Sequence, residues 1–384
     1  YNQLNYWRKL FMNKDRLVDQ FMEMVQIDSE TGHEREMADY LLKKFKDMGI
    51  EAQEDDTQEQ TGYGAGNILV SLKGDNNKAE PIYFTVHMDT VAPGVGVNPS
   101  IDGDYIVSDG STILGSDDKA GIASLIEAIQ SIKESGMRHG DVEIVITVGE
   151  ESGLVGAKAF DATQLKSRFG YAIDSTGKVG TVVTTAPTQS KIEAHIHGKT
   201  AHAGVAPETG VSAINIAARA ISQMKLGRID EETTANIGRF EGGGATNVVT
   251  DYVYLLGEAR SLDDEKMKAQ TAHMKETFEK VAEDMGGRAE VSSDVMYAAL
   301  KASKDSEVVS TAVQAIENIG RRPDLISLGG GSDGNIFAGA GLDTAILGLG
   351  YENIHTTEEK MPIEELHKIT ELVIEIIRVQ NDKE

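Results

Sequence analysis

The apolar residues follow two rhythms that take turns along the chain. Residues 17–25 and 34–48 carry them at helical spacing, with Asp28 and Ser29 punctuating the gap. Residues 67–72, 82–86, 142–148 and 171–173 are short, nearly continuous apolar runs that read as strands. Residues 120–132 are small or apolar nearly all round and predict a buried helix. Strands alternating with helices predict an α/β layered domain on a mainly parallel sheet.

After about Thr185 the rhythm changes. Residues 191–197, KIEAHIH, alternate as a half-buried antiparallel strand does. A helix near 211–224, strands near 236–240 and 252–258, a long helix over 264–285 and a strand near 289–293 follow. Strand-helix-strand-strand-helix-strand is the order of a ferredoxin-like split unit. From about Asp305 the first rhythm resumes, with a helix to Ile319, strands near 324–328 and 344–347, and a last helix from Glu364. The expected organisation is a discontinuous α/β domain, residues 12–186 and 299–384, with a smaller α+β domain, residues 187–298, inserted into it.

Composition narrows the function. A chain of 384 residues is too long for one ordinary core, which agrees with two domains. Sixty-two acidic against 37 basic residues, a net charge of −25, repel phosphate backbones and argue against a nucleic-acid partner. The chain has no cysteine, so any transition metal must be held by His, Asp and Glu. No apolar run approaches the roughly 18 residues of a membrane span. The opening YNQLNYWRKLFMNK lacks the apolar core of a signal peptide, and the expected location is the cytoplasm, with no membrane partner. Met12 reads as a natural start, and residues 1–11 receive no functional weight.

The candidate chemistry gathers at strand ends, where ligands bind in open α/β sheets. The run ending at Val148 leads into Glu150 and Glu151; alone, such a pair is more often solvated charge. Residues 82–86 lead into His87 and Asp89, two apart and therefore on one face, the geometry for an imidazole held by a carboxylate. GSDDKAG, residues 115–121, sets two aspartates before the buried helix, and helix capping accounts for only one of them. YAID ends at Asp174, and AILGLGYENIH delivers His355. Two histidines and several carboxylates at one sheet edge form a natural donor set for zinc or a similar divalent ion.

HMDTV, GSDDKAG, GEESGLVGA, AID, KTAHAG and the late IH, in this order and spacing, resemble the co-catalytic dinuclear zinc peptidases that include peptidase T, carboxypeptidase G, aminoacylase and succinyl-diaminopimelate desuccinylase. GSTILGSDDKAG and TAPTQ are most similar to the peptidase T-like branch of tripeptide aminopeptidases. The resemblance runs from about Asp15 onward. It implies a three-layer zinc-peptidase-like catalytic domain with a mixed, mainly parallel sheet, and an inserted ferredoxin-like lid. It implies two Zn2+ (Co2+ or Mn2+ suit the same ligands): His87 and Asp174 on one, Glu151 and His355 on the other, Asp117 bridging, and a cis peptide between Asp117 and Asp118. Asp89 would orient His87. Glu150 would be the general base for a hydroxide that bridges the metals.

In the lid, the resemblance makes His202 a donor to the oxyanion, although a lone loop histidine is more often a surface residue. Arg260 would grip the substrate carboxylate; its plain reading is an ion pair with Asp263 or Asp264. Asn247 and the glycine-rich loop at Gly330 would bind substrate backbone. His195 and His197 read as a polar strand face. Lids of this type commonly carry a dimer interface, so a homodimer through residues 187–298 is expected. The leading expectation is a tripeptide aminopeptidase acting on short peptides. Peptidase T sequences carry arginine where this chain has Gly329, which keeps N-acyl-amino-acid hydrolase, dipeptidase and carboxypeptidase readings open on the same metals. A non-catalytic metal-dependent binding protein is the remote alternative, and it would lack a ligand or the base.

Overall fold

The run IYFTVH forms strand Ile82–His87, and every residue of it is buried. Phe84 packs into the core on one side of the sheet and Tyr83 into the core on the other, because neighbouring strand residues point to opposite faces. Val142–Thr147 lies parallel beside it and repeats the arrangement with Ile144 and Val145. Burial on both faces is why these strands are continuous apolar runs. Each large side chain so buried contributes about 1.5–3 kcal/mol.

The computed structural model describes residues 12–383, and among them these two strands are central to a nine-stranded sheet. Its order is Glu51–Glu54, Ile68–Leu72, Val142–Thr147, Ile82–His87, Phe169–Ser175, Asp343–Gly348, Thr181–Ala186, Leu300–Lys301, with Asp324–Ser327 beside Thr181–Ala186. From Val142–Thr147 to Asp343–Gly348 the neighbours are parallel. Antiparallel pairs flank that centre on both sides. The Phe84 side is covered by helices Lys14–Val25, Arg35–Asp47, Ser116–Ser135, Glu307–Asn318 and Ile363–Asn381. The Tyr83 side is covered by Val155–Ala159 and Asp333–Gly339, through Ala157 and Phe337. The result is three layers. No helix among the described residues is long and apolar enough to cross a membrane. The expectation about residues 1–11 lies outside the described residues.

The chain divides into two compact units. The first holds the chain up to Thr185, then Leu300–Ser327 and the segment from Ser332 on; the second holds Ala186–Ala299 and Leu328–Gly331. In the second unit, strands Thr233–Gly242, Tyr252–Ser261, Thr188–His197 and Arg288–Tyr297 are neighbours in that order, all antiparallel. Helices Ala213–Gln223 and Asp264–Asp284 cover one face. Thr188–His197 buries alternate residues, Ile192, Ala194 and Ile196, against them.

Two sequence expectations need correction here. The buried helix starts at Ser116 instead of 120, and neither aspartate of the pair caps it: Asp117 and Asp118 have non-helical backbones and are joined by a cis peptide, as the resemblance implies. Strand Thr181–Ala186, a Thr-rich run beside the unit boundary, was not anticipated.

Candidate metal centre

Strand Ile82–His87 carries His87 at its carboxyl end, 1% exposed. Its Nδ1 lies 2.9 Å from the main-chain oxygen of Asp89, and its Nε2 3.0 Å from Asp117 Oδ1 and 3.9 Å from Asp174 Oδ1. The ring is thus oriented first by the Asp89 carbonyl; the Asp89 carboxylate stands 3.4 Å from Nδ1. That carboxylate instead accepts the N–H of Glu150 at 2.9 Å, the N–H of Glu151 at 3.2 Å and the hydroxyl of Thr31 at 2.7 Å. One buried aspartate therefore fixes both the imidazole and the turn of the glutamate pair.

That turn opens with Gly149 at φ 59°, where an added Cβ would stand 2.4 Å from Tyr63 Cε2. The bend ends the alternation of faces, so Glu150 and Glu151 both offer an oxygen near His87. Glu151 Oε1 also lies 2.8 Å from His355 Nε2, which lies 3.2 Å from Asp117 Oδ2. Asp117 thus presents one oxygen to each histidine. His355 holds a left-handed backbone, φ 63°, a conformation that costs a non-glycine residue on the order of 1 kcal/mol and that clusters at functional sites.

The segment before the long helix is fixed from two directions. The main-chain N–H groups of residues 114–117 converge on the carboxylate of Glu359. Lys119, 1% exposed, donates from Nζ to the Ile27 carbonyl at 2.6 Å, and burial lowers its pKa to about 8. Tyr351 donates its hydroxyl to Asp174 Oδ1 at 2.9 Å.

The electrostatics of this centre are lopsided. Burial raises the pKa of Asp118, Glu150, Glu151 and Asp174, and the carboxylates around each raise it further. Burial takes Asp333 to about 6. Asp117 goes the other way: burial opposes ionisation, but contacts with His355 and His87 hold it below the ordinary carboxylate range. Burial disfavours a proton on His87, yet Asp117 and then Asp89 keep its pKa well above the usual imidazole value. Contacts with Asp117 and Glu151 raise His355 to about 10. Buried carboxylates in such number must either take up protons or be balanced by positive charge. Asp118 Oδ1 and Asp333 Oδ1 are buried with no hydrogen-bond partner among the described residues. His87 with Asp118 and Asp174, His87 with Glu150 and Glu151, and Asp117 with Glu151 and His355 each offer donor atoms within 4.8 Å of one another. This oxygen–nitrogen set fits two divalent cations.

The remaining candidates lie in the second unit. His202 is exposed, and its Nδ1 accepts the N–H of Gly204 at 3.2 Å. An isolated antiparallel bridge pairs His202 with Val248, the residue after Asn247, and the Asn247 carbonyl accepts the Ala203 N–H at 2.9 Å. Arg260 pairs with Glu258: Nε and Nη2 hold its two carboxylate oxygens at 3.0 and 3.1 Å. Its Nη1 points to the Gly329 carbonyl at 3.4 Å, beside Gly330. His195 bonds Tyr252 at 2.7 Å on a half-buried polar face.

Sequence reasoning missed Asp118, Asp333, Tyr351 and Glu359. Asp118 lies within GSDDKAG and Tyr351 within AILGLGYENIH, so those motifs could have marked them. Glu359 sits in the polar stretch TTEEK, where nothing separates it from solvated charge.

The model of Peptidase family M20/M25/M40 matches residues 83–379. YqjE of Bacillus subtilis, described as uncharacterized, is 57% identical over 366 residues, 95% of this chain and 98% of the relative. Peptidase T of Geobacillus thermodenitrificans is 26% identical over 423 residues, covering 96% and 99%. Among solved structures, aminopeptidase PepT of Bacillus cereus is 58% identical with a TM-score of 0.92, covering 96% of this chain and 99% of that one. A tripeptidase of Staphylococcus aureus is 48% identical with a TM-score of 0.94, covering 97% and 100%. A dinuclear metal-binding peptidase of the M20 family from Bacillus subtilis shares the fold at 17% identity and a TM-score of 0.74, covering 95% and 98%.

Proposed function

The chain belongs to peptidase family M20/M25/M40 and is a peptide hydrolase, and from that premise we propose a metal-dependent aminopeptidase of short peptides, tripeptides foremost. The observation that carries the metal-dependent part is Asp117, whose two oxygens lie 3.0 Å from His87 and 3.2 Å from His355. His87, Asp117 and Asp174 would hold one cation, and Asp117, Glu151 and His355 the other. Zn2+ is the expected ion, with Co2+ and Mn2+ suited to the same donors. When bound, the cations supply Lewis-acid polarisation of a carbonyl and acidify water.

The chain's own groups do the rest. Glu150 accepts the proton of the attacking water and returns it to the leaving nitrogen. Burial and the neighbouring Asp174, Asp333 and Glu151 raise its proton affinity, which suits a base that must carry that proton. Asp89 orients His87 and holds the Glu150 turn by its N–H groups. With Nδ1 of His202 accepting from Gly204, a neutral ring carries its proton on Nε2, free to donate to an oxyanion. Asn247, Arg260 and Gly330 are the proposed substrate contacts. The second unit keeps the lid and dimerisation role that the resemblance implies. The support for aminopeptidase action is the likeness to the Bacillus cereus aminopeptidase, and for tripeptides the likeness to the Staphylococcus aureus tripeptidase.

Gly329 favours a second reading, because a position without the arginine of peptidase T admits N-acyl-amino acids or dipeptides. The test is a tripeptide, a dipeptide and an N-acetyl amino acid side by side, before chelation, after it and after return of zinc, with products identified by mass. Release of the N-terminal residue from the tripeptide, lost and regained with metal, is the expected result. Preferred cleavage of the N-acetyl substrate would select the second reading. Bound metal without any hydrolysis would leave a binding protein.

A further inference from the structure

Glu359 lies four residues beyond His355 and is only 2% exposed. Its Oε2 accepts the N–H of Leu114 at 2.8 Å and of Gly115 at 2.9 Å. Its Oε1 accepts the N–H of Ser116 at 2.7 Å, the Ser116 hydroxyl at 2.5 Å and, more weakly, the N–H of Asp117 at 3.3 Å. Successive N–H groups that converge in this way form a nest for an anion, and Gly115, at φ 81°, supplies the left-handed residue it requires. The anion here is the chain's own, from a residue 242 positions from Asp117. The segment that bears Glu359 is itself tied back: Glu352 and Lys360 exchange N–H···O bonds at 2.9 and 3.0 Å, closing a loop around His355. One carboxylate thus fastens the backbone before Asp117 to the loop of His355, and none of the chemistry assigned above uses it.

We propose that Glu359 is a positioning residue that sets Asp117 against His355, so that the Asp117–Glu151–His355 cluster can hold its cation. The inference rests on reading that cluster as a metal site. Its test is a titration of metal-free protein with Co2+, followed by visible absorption, in the parent and in Glu359→Gln, Ser116→Ala and Asp117→Asn. Glutamine keeps the shape but turns an amide N–H2 toward backbone N–H groups that need an acceptor. The expected outcome for Glu359→Gln is a dissociation constant for one of the two Co2+ raised about 10- to 100-fold, with an altered absorption band. The other Co2+ and the circular dichroism stay as in the parent. Ser116→Ala, which removes one hydroxyl donor and keeps the carboxylate, should weaken the same cation about 2- to 10-fold. Should Glu359→Gln fail to fold, Ser116→Ala decides: unchanged affinity overturns the proposal. Parent-like binding and spectra in both variants, with Asp117→Asn impaired, would overturn the positioning role and leave the metal site standing. A parent that takes up no Co2+, or an Asp117→Asn that binds as the parent does, would overturn both.

Discussion

At the scale of residues, roles divide by what each carboxylate touches. Glu151 faces His355 and Asp117, whereas Glu150 has its N–H on Asp89 and its acid group among other carboxylates. Glu150→Gln is therefore expected to lower kcat about 10²- to 10⁴-fold with metal content unchanged; metal analysis showing loss would mean that the two glutamates exchange roles. Gly329 has open space around a would-be Cβ. Gly329→Arg should fold normally and shift selectivity, read as kcat/KM, toward tripeptides. The histidines set a pH dependence. In the metal-free chain the pKa of His355 is raised to about 10 and that of His87 is raised as well, so both hold protons at neutral pH. A cation takes only the neutral imidazole, so uptake must release protons and tighten as pH rises toward about 10. Calorimetric titrations of zinc in buffers of differing ionisation enthalpy would count those protons; uptake without release would contradict the assignment.

At the scale of elements, the helix Ser116–Ser135 joins packing to the site. Gly121 faces Val86 and Asp118, and a Cβ there would stand 2.5 Å from Asp118 Oδ1 and 2.9 Å from Val86 Cγ1. Although alanine favours helix, Gly121→Ala should destabilise by about 1–3 kcal/mol through overpacking, seen as a lower urea midpoint at unchanged slope. The same element shows what a sequence can reveal. Its buried body was legible because apolar and small residues surround it, and the resemblance implied the cis Asp117–Asp118 peptide; the nest in its first turn was not legible, since it answers to a residue far along the chain. Strand Ile82–His87 was legible for its unbroken apolar run. Glu51–Glu54, EAQE, is a sheet-edge strand of exposed and half-buried residues and leaves no hydrophobic trace. His87, Asp117, Glu151, Asp174 and His355 could be selected because each ends an apolar run or sits in a quoted motif. Glu359 could not, because its partners are main-chain groups, which a sequence does not label.

For the molecule as a whole, cations that bind only the folded chain add stability by mass action, about 2.7 kcal/mol at a hundredfold excess over the dissociation constant. Chelation should lower the unfolding temperature of the first unit and zinc should restore it; a melting curve indifferent to metal would count against the centre. The order of the sheet adds a constraint in time. Strand Asp343–Gly348 lies between Phe169–Ser175 and Thr181–Ala186, which follow each other in the chain yet stand apart in space. Domains generally fold as units, and this sheet can be completed only once a late segment arrives to fill that place. His355 and Glu359 emerge just after that segment. If His355 holds a cation as proposed, the unfinished chain has no working scissors while the ribosome is still elongating, and hydrolytic capacity is expected only when synthesis is nearly over.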